Sequence, residues 1–330
     1  MFKWFLFLLV LCFLYYVREI FPPFIMGGII AYLLLPLVKR LGNSARIDHR
    51  WAVAIIYLLF VAAIALLFWR FGAKVIDEFT MLVAQRQEIV TNLVSQISTA
   101  FNWQLDVEQS TNEILSSLEQ NIGTPGEIAH LGALVSKGML SMLVTVVSSI
   151  YLILDSKRVG DFFLRFLPKE RRQTALELCR QMNSILSKYL KGQAILILLM
   201  FGVAYVILHF VFHLKYALLI AMLSGFLEII PVLGPILATT IATVVGIAQI
   251  GVDSALFIIL CYTGARWAED YIIVPRVMGH YVELHPLAVI FAVLCGEVIA
   301  GALGMLIAIP VAASIKVILD FCYPSVEMNK

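Results

Sequence analysis

Five apolar runs, at roughly 2–17, 24–41, 51–71, 131–154 and 192–212, reach or approach the 20 or so residues that a helix needs to cross a bilayer, the first falling a little short. A sixth run, from about Asp253 to Val274, is also long enough to cross, while the stretches near 216–250 and 286–321 are apolar but broken by Pro, Gly and Glu. The run from Phe2 to Val17 lacks a small-residue cleavage motif and leads into Arg18, Glu19 and Pro22, so it is expected to be a retained helix, not a signal peptide.

Two polar segments separate these runs. From Gly72 to His130 the chain carries Asp77, Glu78, Glu88, Asp106, Glu108, Glu113, Glu119 and Glu127 against Lys74 and Arg86. Its apolar positions Val75, Phe79, Leu82, Ile89, Leu93 and Ile97 recur at mostly helical spacing, which predicts amphipathic helices with a break near Asn121 to Gly126. A packing or oligomer face fits this pattern better than a substrate-binding domain. The second segment, 155–191, is basic, and Ala175, Leu178, Met182, Ile185 and Tyr189 step by three and four to form one apolar stripe. Such a helix lies on an anionic inner leaflet or packs under the bundle. Binding of nucleic acid would demand a longer basic cluster.

Charge sets the expected topology. The loop between the second and third runs holds Lys39, Arg40, Arg46 and Arg50 against Asp48, which places it in the cytoplasm. The N-terminus is then inside, the acidic segment outside and the basic segment inside again. The fifth run ends outside at His209, His213 and Lys215; the two histidines, four residues apart, read as a membrane-interface feature in preference to a metal pair.

The broken stretches carry the candidate chemistry. Within Glu228 to Pro235, one carboxylate, two prolines and a glycine interrupt an apolar run; Pro removes a backbone donor and frees carbonyls that lipid cannot satisfy. Residues 216–230 and 235–250 are each about 15 long, roughly 22 Å against a hydrocarbon core of about 30 Å, so they predict a re-entrant hairpin that enters from outside and returns there. The run that follows carries Arg266, Glu269 and Asp270, spaced to pair with one another or to serve a site. The stretch 286–321, with Gly296, Glu297, Gly301, Gly304 and Pro310, predicts a second hairpin opening to the cytoplasm. Glu228-Ile-Ile with Leu233-Gly234 echoes Glu297-Val-Ile with Leu303-Gly304. Oppositely inserted hairpins bind substrate where broken helices meet, and Glu228 and Glu297 would supply the acid at each tip.

Composition agrees: 61% of the 330 residues are hydrophobic and 14% charged, with net charge +2, and the mean hydropathy is +0.94, which describes a polytopic membrane protein. The five cysteines show no close pairing and read as packing residues. The sequence contains no HExxH, GxSxG or Walker A motif, so a membrane enzyme or an ATP-driven pump finds no support in it.

Pro231-Val-Leu-Gly234-Pro235 resembles the P-x-[IL]-G-P signature of the AI-2E family of transporters, named for autoinducer-2 export. Val274-Pro275-Arg276-Val-Met-Gly279, Leu284-His285-Pro286, Gly301-Ala-Leu-Gly304-Met and Ile309-Pro310 follow the family pattern in order, as do Pro23-Phe24, Ala31-Tyr32-Leu33, Asp155, Leu167-Pro168 and Tyr189-Leu190-Lys191-Gly192-Gln193. The resemblance implies an oligomeric permease, a pentamer, with some members linked to autoinducer-2 export and others to sodium or proton exchange. This chain departs from many relatives at Arg266-Trp-Ala-Glu269-Asp270-Tyr, where they carry Gln and an Asn.

The expectation is an all-α polytopic inner-membrane protein with about six spanning helices, two oppositely oriented re-entrant hairpins and both termini cytoplasmic. Its segments are 1–71, 72–130, 131–154, 155–191 and a transport core at 192–330. Function is expected to be secondary transport of a small polar solute such as autoinducer-2 or, alternatively, sodium or lithium/proton antiport; H+ or Na+ is the possible coupling ion, with no other cofactor. The residues expected at the site are Glu228, Pro231, Gly234, Pro235, Glu269, Asp270, Pro275, Gly279, His285, Pro286, Glu297, Gly301, Gly304 and Pro310.

Overall fold

The computed structural model describes residues 20–104, 106–122, 131–166, 168–231, 233–277 and 284–323, together with Leu9 and Tyr16. Apart from Leu9 and Tyr16, the expected first helix lies outside the described residues, as do Gly279 and most of the break expected near Asn121 to Gly126. Within them the chain is helical, with no strand. In order, the helices are α1 (Phe21–Ala45), α2 (His49–Leu67), α3 (Ala73–Ala84), α4 (Arg86–Phe101), α5 (Val107–Ile122), α6 (Leu131–Leu154) and α7 (Ser156–Leu164). They are followed by α8 (Arg172–Tyr205), α9 (Ala217–Leu227), α10 (Leu233–Ile250), α11 (Asp253–Ala268), α12 (Val274–Val277) and α13 (Pro286–Cys322). Short π-helical stretches extend α2 over Phe68–Gly72, α8 over Val206–Val211 and α11 over Glu269–Ile273.

Five helical stretches among the described residues are long and apolar enough to cross a membrane by length and composition: Phe21–Ala45, His49–Ala84, Lys169–Val211, Leu233–Ile250 and Pro286–Cys322, the last of them interrupted at Ala300–Gly301. Their large apolar side chains, such as Leu58, Leu66, Trp69, Leu198 and Phe257 of the neighbouring α11, point outwards. A protein bathed in water rarely exposes so much contiguous apolar surface, whereas lipid tails accept it.

Local chemistry sets the helix ends. Prolines occupy the first turn of α1, where their missing N–H is not needed, and Arg46 ends that helix in the left-handed region at φ 51°. Asp106 starts α5 by accepting hydrogen bonds from the backbone N–H groups of Glu108 and Gln109 at 3.0 and 3.1 Å. His285 does the same for α13, its Nδ1 accepting from Leu287 N at 3.2 Å, with Pro286 as the first helical residue. The amphipathic helices expected in the acidic segment are α3, α4 and α5. Between the basic segment and the fifth apolar run the helix is unbroken: α8 runs through Gly192, since one Gly inside a helix costs only about 1 kcal/mol.

By packing, the chain divides into two compact units, each discontinuous in sequence. The first comprises Met1–Val61, Leu134–Lys191 and Val282–Lys330. Its core joins α1, α2 and α6 through Ala31, Leu34, Val38, Ala52, Val53, Tyr57 and Ile153. Helices in lipid gain little from the hydrophobic effect and associate by close packing and polar contacts. Both devices operate here: a Cβ on Gly27 would strike Ser148, Tyr57 Oη and Ser149 Oγ share a hydrogen bond, and Tyr32 donates to Asn183 at 2.8 Å.

The same unit contains the second hairpin. α13 is interrupted by Ala300 at φ −146°, ψ 22° and Gly301 at φ 57°, ψ −139°, the latter a combination that only Gly adopts readily. Gly296 and Gly304 would stand about 12 Å apart along an unbroken helix. Instead a Cβ on Gly296 would lie 2.5 Å from the Gly304 carbonyl oxygen, so the chain folds back on itself at Ala300–Gly301.

The second unit comprises Ala62–Ala133 and Gly192–Tyr281. Ala204, Leu208, Leu214, Tyr216, Ala217, Ile220, Ala221, Ala238, Ala242, Val245, Ile258 and Tyr262 form its core, with Leu82 and Ile89 packed against it. The acidic segment therefore packs with the first hairpin in one unit.

Because the Gly296–Gly304 contact is backbone against backbone, Gly304→Ala should destabilise the protein by about 1–3 kcal/mol. Gly264, on an open face of α11 with nothing within 4 Å, is the control, and its change to Ala should gain up to about 1 kcal/mol. Thermal unfolding of the purified protein checks both, and an unchanged midpoint for Gly304→Ala would contradict the reversal.

Candidate functional site

The first hairpin is built by α9 and α10, 11 and 18 residues long, about 16 and 27 Å, and so less equal than the sequence predicts. The turn between them is closed by Ile230 N donating to Leu227 O at 2.9 Å, Leu233 N to Pro231 O at 2.8 Å and Gly234 N to Ile230 O at 2.9 Å. Gly234 is buried, and a Cβ there would collide with the Leu227 carbonyl. Pro231 starts the turn's return and Pro235 sits in the first turn of α10, where its missing donor is harmless; its carbonyl accepts from Thr239 Oγ1 at 2.8 Å.

The end of the hairpin away from this turn is tied down by polar side chains. Glu78 of α3, only 5% exposed, accepts from Leu219 N at 2.8 Å, which satisfies a free donor at the positive end of α9. Tyr216 donates to Gln85 at 2.5 Å, and Lys215 N donates to Gln249 at 2.9 Å.

At the turn itself, Gln193 of α8 donates to the Glu228 backbone carbonyl at 2.8 Å, supplying a donor that the broken helix lacks. The Glu228 carboxylate, buried at 7% exposure, receives Arg266 Nη1 at 2.6 Å. The same nitrogen lies 3.3 Å from Glu269 Oε2, while Arg266 Nη2 and Nε meet Asp270 Oδ1 and Oδ2 at 3.0 and 3.1 Å. Glu269 is fully buried, and its Oε1 meets no protein donor. Arg266 Nη1 thus bridges the Glu228 and Glu269 carboxyls.

The backbone explains how two adjacent acids come to share one guanidinium. Glu269 opens the π stretch, where Val274 N bonds back to the Glu269 carbonyl five residues earlier. Pro275 follows immediately and cannot donate to the regular ladder. Glu269 and Asp270 stand three and four residues after Arg266, the spacings that bring side chains together on a helix, with Glu269 buried and Asp270 partly exposed. Inserted π turns of this kind recur at functional sites.

Three carboxylates against one guanidinium leave a formal charge of −2 if all are ionised. Unpaired charge removed from water is expensive, so the cluster demands a proton or another cation. Among the described residues no three His, Cys, Asp or Glu side chains converge to hold a metal ion, and the guanidinium occupies the centre of this cluster.

The structure thus brings together Glu228, Glu269 and Asp270 of the expected site residues, with Pro231, Gly234, Pro235 and Pro275 shaping the backbone around them. His285 and Pro286 cap α13, and Gly301 and Gly304 build the second reversal. Pro310 is buried within the returning arm, its carbonyl accepting from Ser314 at 2.7 Å. Glu297 is exposed, not buried as expected of a carboxylate at a hairpin tip. Gln193, Glu78 and the link from Arg266 to Glu228 were not anticipated. Two of these had a signal: Glu78 falls on the apolar stripe of Val75 and Leu82, and Gln193 extends the stripe that ends at Tyr189.

The AI-2E family transporter profile matches residues 4–323. The chain belongs to the AI-2E family. It is 26% identical over 319 residues to YueF of Bacillus subtilis (strain 168), covering 92% of this chain and 84% of that protein. A sodium-lithium/proton antiporter of Halobacillus andaensis is 23% identical over 330 residues, covering 92% and 91%. The AI-2 transport protein TqsA of Escherichia coli (strain K12) is 24% identical over 317 residues, covering 94% and 89%. These names mark this AI-2E family member as a membrane transporter by kinship.

Removing one partner of a buried ion pair costs more than the pair contributes. Arg266→Met, which strands Glu228 and Glu269, should destabilise the protein by about 3–5 kcal/mol. Asp270→Asn, at a partly exposed contact, should lose about 1 kcal/mol or less. Equal losses in thermal unfolding would show that the cluster is not organised around its buried acids.

Proposed function

We propose that this chain is a secondary transporter in which the turn of the first hairpin, with Glu228, Arg266, Glu269 and Asp270, forms the coupling site for a proton or a monovalent cation. The observation that carries this reading is the excess of carboxylates over cations at a broken membrane helix. Such a site changes its charge by one when a proton or Na+ enters, and that change is what coupled exchange requires. Kinship with the Halobacillus andaensis protein supports sodium or lithium/proton antiport as the cargo.

Kinship with TqsA supports the other reading, export of a small polar solute such as autoinducer-2, with the same cluster serving as its coupling site. In both readings the protein lies in the plasma membrane with both termini cytoplasmic, functions as a homo-oligomer and uses re-entrant hairpins. The two chain reversals and the charge pattern of the loops support this arrangement.

The test uses purified protein in liposomes carrying a pH-sensitive dye. NaCl, LiCl or choline chloride is added outside, and autoinducer-2 flux is followed in parallel. Antiport predicts proton movement with Na+ or Li+ but not choline, reduced at least about tenfold by Glu228→Gln and by Glu269→Gln. Autoinducer-2 flux that needs neither Na+ nor Li+ would favour the solute reading. Unchanged flux of every transported species in both variants would sink the site assignment.

A further inference from the structure

The Arg266 side chain divides its contacts between two edges. One edge, Nε and Nη2, meets both oxygens of Asp270 at 3.1 and 3.0 Å, a forked pair with the one partly exposed carboxylate of the cluster, whose side chain is 44% exposed. The remaining nitrogen, Nη1, points the other way, 2.6 Å from Glu228 Oε1 and 3.3 Å from Glu269 Oε2. Those two acids are buried and share that one nitrogen, and Glu269 Oε1 is left without a protein donor.

We propose that Arg266 Nη1 is a tethered stand-in for the transported cation, filling the Glu228–Glu269 carboxyl pair until an incoming H+, Na+ or Li+ displaces it, while the Nε/Nη2 edge stays docked on Asp270. This rests on the coupling-site reading above and adds the occupant that competes for the site. Small hard monovalent cations prefer oxygen ligands, and the two carboxyls offer up to four, including the one left unused by the protein.

Displacement has a clear energetic logic. A bare pair of buried carboxylates would be strongly destabilised as the hairpin moves. With a tethered arginine, the pair has a cation against it in both states, guanidinium in one and the transported ion in the other, so it never stands wholly uncompensated. The competition also lowers ion affinity, because each bound ion must replace the Nη1 contacts, and a weaker hold favours release on the far side. Glu228 is the residue at which α9 ends, so exchange of its partner alters what fastens the turn to α11.

The experiment is calorimetric titration of LiCl, with choline chloride as the blank, into the purified full-length protein at alkaline pH, alongside the rise in unfolding midpoint with Li+. Arg266→Gln should bind Li+ about tenfold more tightly than wild type and gain more stability from it. Arg266→Lys, whose compact ammonium holds fewer oxygens, should gain about threefold, and it carries the test if the Gln variant fails to fold. Affinity equal to or weaker than wild type in the folded variant overturns the proposal and makes the arginine a fixed organiser of the site. That result, with cation-driven proton flux intact in wild-type liposomes, leaves the coupling site standing; a wild type with neither flux nor Li+ binding sinks both.

Discussion

The acids at the first hairpin must be neutralised out of water, and the guanidinium of Arg266 is the one cation among the described residues that touches Glu228, Glu269 and Asp270 together. Much of the second unit serves that requirement. Helical spacing of three and four residues sets Glu269 and Asp270 beside Arg266, Gln193 supplies the donor that the broken helix lacks, and the buried Gly234 lets the turn close against Leu227. Without these the carboxylates would lie in a medium that can neither solvate nor pair them.

The opposite end of the hairpin follows the same rule with a different device. α9 begins with free backbone donors, and Glu78 reaches across from α3 to accept one of them. The acidic segment is therefore part of the hairpin's foundation, which explains why it packs in the second unit and not as a separate domain. The second reversal, in the first unit, needs no ion pair: a glycine in a backbone conformation closed to other residues turns the chain, and Gly296 against Gly304 seals the arms.

The long apolar helices at Phe21–Ala45, His49–Ala84 and Lys169–Val211 and both chain reversals were legible in the sequence because apolar length and Pro/Gly punctuation are local signals, whereas the 18-residue α10 is longer than the half-hairpin expected there. Arg266, Glu269 and Asp270 were legible as a possible ion pair from their spacing of three and four. What the sequence did not disclose was long-range: Glu228 lies 38 residues from Arg266, and Gln193 lies 35 from Glu228. Symmetry between the hairpins misled about Glu297, whose place in the echo of Glu228 suggested a buried tip acid although it is exposed. The charge border at residue 191 coincides with the junction of the two packing units at Lys191 and Gly192, although α8 runs on through it as one helix. The family's own pattern did not help at the cluster, since this chain departs from it there.

The central claim is that Glu228 and Arg266 act as one unit that fastens the hairpin turn. A double-mutant cycle on unfolding stability in lipid nanodiscs, with Glu228→Gln, Arg266→Gln and the pair combined, measures this directly. The double variant should be more stable than the sum of the single losses implies, by about 1.5 kcal/mol or more. Losses that simply add would contradict it.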